Sequence, residues 1–223
     1  MSSVPPPTTV VGHNEYLDRV LREGTLSSDN WGRWPDEGNT SSWVHRWSAR
    51  DTLTLQYAWA IPNDPALDAI AALSPIVEVG AGSGYWTKLL RERGARVVPY
   101  DKDPYPLFNP WIAQSYVAIS KGGAHQALRH GREDWTLFLC WPPYERKAVE
   151  PKQRHMAEEC LGLHRGEYVA YVGEGWGGCT ASDGFYEILE DRYDLIEEVA
   201  IPQWYGLHDQ LFIYQRKPMV AWE

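Results

Sequence analysis

Cysteine is scarce and odd in number: Cys140, Cys160 and Cys179 lie far apart in the chain. No pair has the spacing of a disulfide framework or a metal site, so a reduced, cytoplasmic protein without a bound metal is expected. The seven histidines include no H-E-x-x-H pair, which removes a common zinc-hydrolase pattern. Positive charge is short as well. Lys and Arg number 21 against 30 Asp and Glu, and the net charge of -9 has the wrong sign for a nucleic-acid footprint. No apolar run approaches a membrane span. The start, MSSVPPPTTVV, lacks the basic region and long apolar core of a secretory signal. Tryptophan, by contrast, is plentiful, with 12 in 223 residues. Its broad ring serves packing and ligand stacking alike. The length allows one α/β domain with a large core plus a cap.

The chain is organised around Ile76-Val77-Glu78-Val79-Gly80-Ala81-Gly82-Ser83-Gly84-Tyr85-Trp86. A short β-branched run reads as a buried parallel strand. Alternating glycines follow, and then Tyr85 to Gly94 reads as a helix with a glycine C-cap. Strand, glycine turn and helix N-terminus form an anion-binding corner. The dinucleotide fingerprint G-x-G-x-x-G fails, because Tyr85 occupies its third glycine place. What stands is E-x-G-x-G-x-G, which resembles motif I of the class I S-adenosylmethionine-dependent methyltransferases. In that family the glycines let the backbone approach the methionine moiety, and the acid orients the loop and the cofactor's ammonium. Ala95 to Asp101 reads as a second strand ending in an acid about 20 residues beyond the turn, where a ribose diol is gripped. Asp101 suits that role better than Asp103, which Pro104 marks as a turn acid. The resemblance implies S-adenosyl-L-methionine as cofactor, with Glu78, Gly80, Gly82, Gly84, Tyr85, Asp101, Lys102 and Cys140 around it.

Taken in order, residues 1–12 read as a disordered Pro-rich tail. Residues 13–62 read as an N-terminal cap or lid. Within it, Asn14 to Glu23 is helical, Thr25 to Trp47 is an irregular tryptophan-rich segment, and Asp51 to Ala60 is a helix capped by Asp51. The segment at 25–47 is either a lid over the site or a wrap over one face of the core. Asn63 or Asp64 caps a helix with Pro65 at its first position. Residues 63–223 form the expected catalytic domain. Its later strands are Ser115 to Ser120 (weak), Thr136 to Cys140, Glu167 to Val172, Asp194 to Ile201 and Gln210 to Gln215. Helices are expected at Pro151 to Leu163 and Asp183 to Tyr193, the latter capped by Ser182. The alternation predicts an α/β, Rossmann-like, seven-stranded doubly wound sheet of the class I methyltransferase type.

Ligands of such sheets bind beyond the carboxyl ends of the strands. That rule selects the Gly80–Gly84 turn, Asp101, Trp141–Tyr144, Glu174–Thr180 and Trp204–Asp209. Trp141-Pro142-Pro143-Tyr144 resembles motif IV of the amino-methyltransferases, in which Asp, Asn or Ser precedes P-P and an aromatic. In that family the first side chain and the proline carbonyl accept from the target amine, and the aromatic stacks on the substrate. Trp141 departs from the pattern, since an indole only donates. The resemblance implies an acceptor site with Trp141, Pro142 and Tyr144. Tyr57 and Trp59, just upstream of the glycine motif, are either pocket or core residues. Catalytic candidates are Tyr144, His208 and Glu174, the last two being either base candidates or solvated loop residues. The expected activity is methyl transfer to a planar small molecule at nitrogen. The alternatives are a nucleic-acid or protein amino-methyltransferase and a non-catalytic protein that binds S-adenosylmethionine.

Overall fold

The structure, a computed structural model, describes residues 12–22, 40–128, 131–144 and 155–218, and the side chains of residues 40–47 stand outside that description. The expected tail and most of the tryptophan-rich segment, including Trp31 and Trp34, lie outside the described residues.

The glycine motif sits at the centre of the sheet. Strand β1 (Ile76–Val79) is buried along its whole length, as its β-branched run requires. It lies parallel to β2 (Val97–Asp101) on one side and to β4 (Thr136–Cys140) on the other. The full order is β3-β2-β1-β4-β5-β7-β6, with β3 at Ser120–Lys121, β5 at Tyr168–Gly173, β6 at Tyr193–Ala200 and β7 at Gln210–Arg216. β7 runs antiparallel between β5 and β6, and the other neighbouring pairs are parallel. The chain winds outward from β1 to β3 and then returns to β4, so the order reverses between β1 and β4. That reversal opens a crevice at their carboxyl ends.

Side-chain alternation along β1 divides the core. Ile76 joins the cluster under helices α3 (Asp64–Ala71) and α4 (Tyr85–Glu92), with Leu67, Ile70, Trp86 and Leu89. Val77 and Val79 join the opposite cluster, under α5 (Ala124–Ala127), α6 (Met156–Leu163) and α7 (Asp183–Arg192). The expected caps form: Asn63 accepts from the Ala66 N–H, and Ser182 accepts from the Phe185 N–H.

Three local expectations fail. The tryptophan-rich segment is not irregular as far as Trp47, because the chain is already helical from Thr40. Asp51 does not cap a helix, because α2 (Thr40–Gln56) begins eleven residues earlier and runs through it. The expected strand at Ser115 to Ser120 shrinks to the two residues of β3. The Tyr116 N–H donates to the Ser83 carbonyl (2.8 Å), so this stretch is drawn across the end of the glycine turn instead of along β2. Only Tyr100↔Ser120 and Asp101↔Lys121 then pair.

The N-terminal cap shares the core of the sheet. Helix α1 (Glu15–Arg22) brings Tyr16 against Tyr57, stacked with ring centroids 4.8 Å apart. Tyr57 meets Tyr85 edge-on at 5.0 Å and stacks with Tyr116 at 5.8 Å. Asn14 Nδ2 donates to the Pro62 carbonyl (2.7 Å), and Tyr16 Oη donates to the Ala58 carbonyl (2.9 Å). Removing a fully buried aromatic ring costs about 3–5 kcal/mol. Tyr57→Ala is therefore expected to lower the unfolding free energy by that order in urea melts. A loss under about 1 kcal/mol would show that the cap is not part of the cooperative core.

Candidate active site

The turn after β1 has the backbone that its glycines permit. Gly80, Gly82 and Gly84 have φ of 77°, 54° and 72°, in the left-handed region. A Cβ on Gly84 would come within 2.6 Å of Val117 Cγ2. The turn is anchored to the end of β2: the N–H groups of Gly80 and Ala81 both donate to the Tyr100 carbonyl (2.8 and 3.0 Å). The Gly82 N–H donates to Asp101 Oδ2 (2.9 Å), and the Asp103 N–H donates to Asp101 Oδ1 (2.9 Å). Each carboxylate oxygen keeps a second lone-pair direction, so Asp101 can hold the turn and still accept from a diol. Asp101 is nearly buried, whereas the neighbouring Lys102 is exposed.

Other members of the expected cofactor set lie beneath the turn. Glu78 is 1% exposed and accepts from the Thr87 hydroxyl on α4. Burial pushes its pKa up to about 8, with the Asp101 charge adding while the Thr87 hydrogen bond and Arg91 oppose. Its carboxyl group thus ties β1 to α4. The Tyr85 side chain turns into the tyrosine cluster. Its hydroxyl accepts from the Tyr16 N–H (3.0 Å) and lies 3.2 Å from Asn14 Oδ1. Burial pushes its pKa up to about 12. Cys140 ends β4, and burial keeps its thiol protonated, with Glu78 and Asp209 adding to the effect. Tyr57, 0% exposed, is a core residue of the same cluster.

The neighbouring edge is aromatic. Trp141 has φ of 52°, strained for a bulky side chain. It is held on three sides. Its N–H donates to the Val172 carbonyl (2.8 Å), its Nε1 donates to Asp209 Oδ1 (2.9 Å), and its ring stacks on Trp59 at 5.2 Å. Trp59 in turn meets Trp111 edge-on at 5.6 Å and carries the Arg50 guanidinium over its ring at 5.2 Å. The Pro142 carbonyl, expected to accept from an amine, already accepts from the Ala181 N–H (2.9 Å), and Pro143 bridges to Thr180. Tyr144 is 41% exposed at the outer end of this turn.

Glu174 and His208 meet, but as a staple between loops. Glu174 Oε2 accepts from the Cys179 N–H (2.7 Å), and Oε1 accepts from the His208 N–H (2.9 Å), with His208 Nδ1 3.4 Å away. Burial pulls the Glu174 pKa up, but the hydrogen bonds from Cys179 and His208 outweigh it and hold the pKa below the usual value. Both oxygens are occupied in binding the loop after β5 to the loop before β7. The residue not singled out from the sequence is Asp209. It is 1% exposed, and its Oδ2 has no partner among the described residues. Burial pushes its pKa up to about 7, with Glu174 adding while the Trp141 hydrogen bond and Arg50 oppose. Its place beyond the carboxyl end of β6 was the one signal in the sequence. Among the described residues no cluster of three or more His, Cys, Asp or Glu could hold a metal, and no helix is long and apolar enough to cross a membrane.

No family model and no curated protein matches the chain. Solved structures resemble it over most of its length. One is the Burkholderia thailandensis 1,6-didemethyltoxoflavin-N1-methyltransferase with bound 1,6-didemethyltoxoflavin and S-adenosylhomocysteine, at 17% identity over 96% of this chain and 94% of that one, TM-score 0.42. Another is the magnesium protoporphyrin IX methyltransferase of Synechocystis, at 13% identity over 89% and 96%, TM-score 0.40. A third is a TehB-like S-adenosylmethionine-dependent methyltransferase of Corynebacterium glutamicum, at 16% identity over 79% and 97%, TM-score 0.44. The fold is read from the strand order: a Rossmann-like seven-stranded sheet with a reversed β7, of the class I methyltransferase type.

The buried Glu78 makes stability depend on pH. Its folded pKa of about 8 stands above the ordinary value of 4.5, so the unfolded chain releases this proton first as pH rises. Its contribution is complete below about pH 4.5 and is lost as pH climbs through 8. Glu78→Gln is therefore expected to lose less stability than the unsubstituted chain between pH 6 and 9 in denaturant melts. Parallel curves for the two proteins would rule out a buried, protonated Glu78.

Proposed function

We propose that this chain is an S-adenosylmethionine-dependent methyltransferase acting at nitrogen on a planar small molecule. The observation that carries the reading is the turn of three left-handed glycines clamped through Gly82 to the acid that ends β2. Among the described residues a Cβ on Gly82 would have only Ile112 Cγ2 nearby, at 3.5 Å, which leaves room for a ligand that comes close to the backbone. Asp101 supplies acceptors for a ribose diol. When bound, the cofactor supplies an electrophilic methyl on a sulfonium. Transfer to an amine is then a one-step in-line displacement in which positioning supplies most of the rate. Trp59, Trp111 and Trp141 form an aromatic wall along the same edge, with Tyr144 at its outer end, and planar surfaces of this kind favour a planar acceptor. Cys140, Cys160 and Cys179 are all free thiols, which suits the reducing cytoplasm.

Calorimetric titration with S-adenosylhomocysteine tests the cofactor site. Gly82→Val, which places a side chain in the left-handed turn, and Asp101→Ala are each expected to weaken binding about tenfold or more. Unchanged affinity in both folded variants would remove the assignment.

Tyr144→Ala tests the acceptor side. It is expected to lower turnover on planar amines while leaving S-adenosylhomocysteine affinity nearly intact. Full activity in that variant would move the acceptor pocket away from the double-proline turn.

A further inference from the structure

Trp141 replaces the hydrogen-bond acceptor that an amino-methyltransferase pattern has at its position, and its indole hands its one polar hydrogen to Asp209 (2.9 Å). Three features make this more than a packing contact. The first is position. Glu78 pairs with Phe138 across β1 and β4, so two residues further on Cys140 stands level with Gly80. Trp141 follows directly after β4, a strand about 4.8 Å from the one that carries the glycine turn.

The second is charge. Asp209 Oδ1 receives only the indole, and Oδ2 is buried without a partner among the described residues. Among the described residues, the charged and titratable groups around Asp209 are Arg50 from α2, Tyr16 from α1, Cys140 from β4, Tyr171 from β5, Glu174 and Cys179 from the loop after β5, and His208, which precedes Asp209 in the chain and meets Glu174. Arg50 is the one permanent cation among these, and it lies over Trp59. Asp209 therefore sets its carboxylate directly on the indole N–H, while the Arg50 charge opposes part of it. Hydrogen bonds in a low-dielectric site polarise one another, and an N–H donated to a carboxylate enriches the ring face that attracts cations.

The third is that the stacked pair already carries a cation, since Arg50 Cζ is 5.2 Å from the Trp59 ring centre. The contacts to Val172, Asp209 and Trp59 hold the strained backbone of Trp141, and with it the ring, in this arrangement.

We infer that Asp209 is a positioning residue acting through Trp141: it puts negative charge behind the indole beside the glycine turn, so that this wall favours a sulfonium over the neutral thioether left after methyl transfer. The inference rests on the methyltransferase reading given above. It assigns donor-over-product selectivity to a residue that touches neither ligand. Asp209 has a pKa of about 7, so the effect is present at pH 8 and weak at pH 6.

The test is calorimetric titration of the full chain with S-adenosylmethionine and with S-adenosylhomocysteine, for the unsubstituted protein, Asp209→Asn and Trp141→Phe, at both pH values. Asn keeps an oxygen for the indole N–H and removes the charge. At pH 8, Asp209→Asn is expected to reduce the preference for the sulfonium about three- to tenfold, within the range of a cation–π contact. At pH 6 it should match the unsubstituted protein. Comparing the two proteins at each pH cancels the titration of the ligands themselves. Trp141→Phe has no N–H for Asp209, so its preference should change less between pH 6 and 8 than that of the unsubstituted protein. That arm decides the matter if Asp209→Asn does not fold. Equal preferences at pH 8 in the Asp209→Asn and unsubstituted proteins, with both ligands bound, would overturn the inference and leave the methyltransferase reading standing. Binding of neither ligand by the unsubstituted protein would overturn both.

Discussion

The hydrogen bond from the Gly82 N–H to Asp101 Oδ2 is the contact on which the site depends. Three residues in the left-handed region within five positions make a turn with little intrinsic order, because glycine has the most conformational freedom to lose. The turn takes one shape because its N–H groups have fixed destinations, two at the Tyr100 carbonyl and one at Asp101. Both destinations lie at the end of β2, and parallel pairing with β1 sets where that end falls. The acid thus shapes the loop and keeps a spare lone-pair direction on each oxygen.

The second constraint is the tyrosine cluster that fastens the N-terminal cap. Ser83 Oγ donates to the Tyr57 carbonyl, and Tyr85, two residues later, carries its ring between Tyr57, Tyr116 and Tyr16. The last residues of the glycine turn are therefore also the dock for α1 and for the chain after α2. A ligand at the turn meets a frame whose cap side is already packed.

The contacts of several candidates are set by what covers them. Tyr57 and Tyr85 pack in the core, and Glu78 binds α4, since the face of β1 on which residues 76 and 78 stand is covered by helices. Spacing places a residue on a face but does not say what covers that face. Glu174 and His208 reach one another across loops that are 34 residues apart in the chain, a contact that no local pattern encodes. Asp51 was misread because a side chain that can cap a helix can equally sit within one. Six of the seven strands, the caps at Asn63 and Ser182 and the glycine turn were legible, since each follows from hydrophobic period, β-branching, a capping side chain or the φ that glycine tolerates, whereas β3 is set by pairing with the end of β2.

What the sequence determined by itself is local: where β1 begins and ends, where its glycines must bend, which acid ends β2 and which residues fall at the carboxyl edge. These follow from the alternation of side chains along a strand and from steric limits on φ, both of which act within a few residues. Tertiary structure alone decided which of the edge residues work together. The Trp141–Asp209 bond, whose ends are 68 positions apart in the chain, and the Arg50–Trp59–Trp141 stack join segments that meet only after the sheet has been ordered and the cap has closed on it. Burial at that junction, which no single segment produces, raises the pKa of Asp209 to about 7.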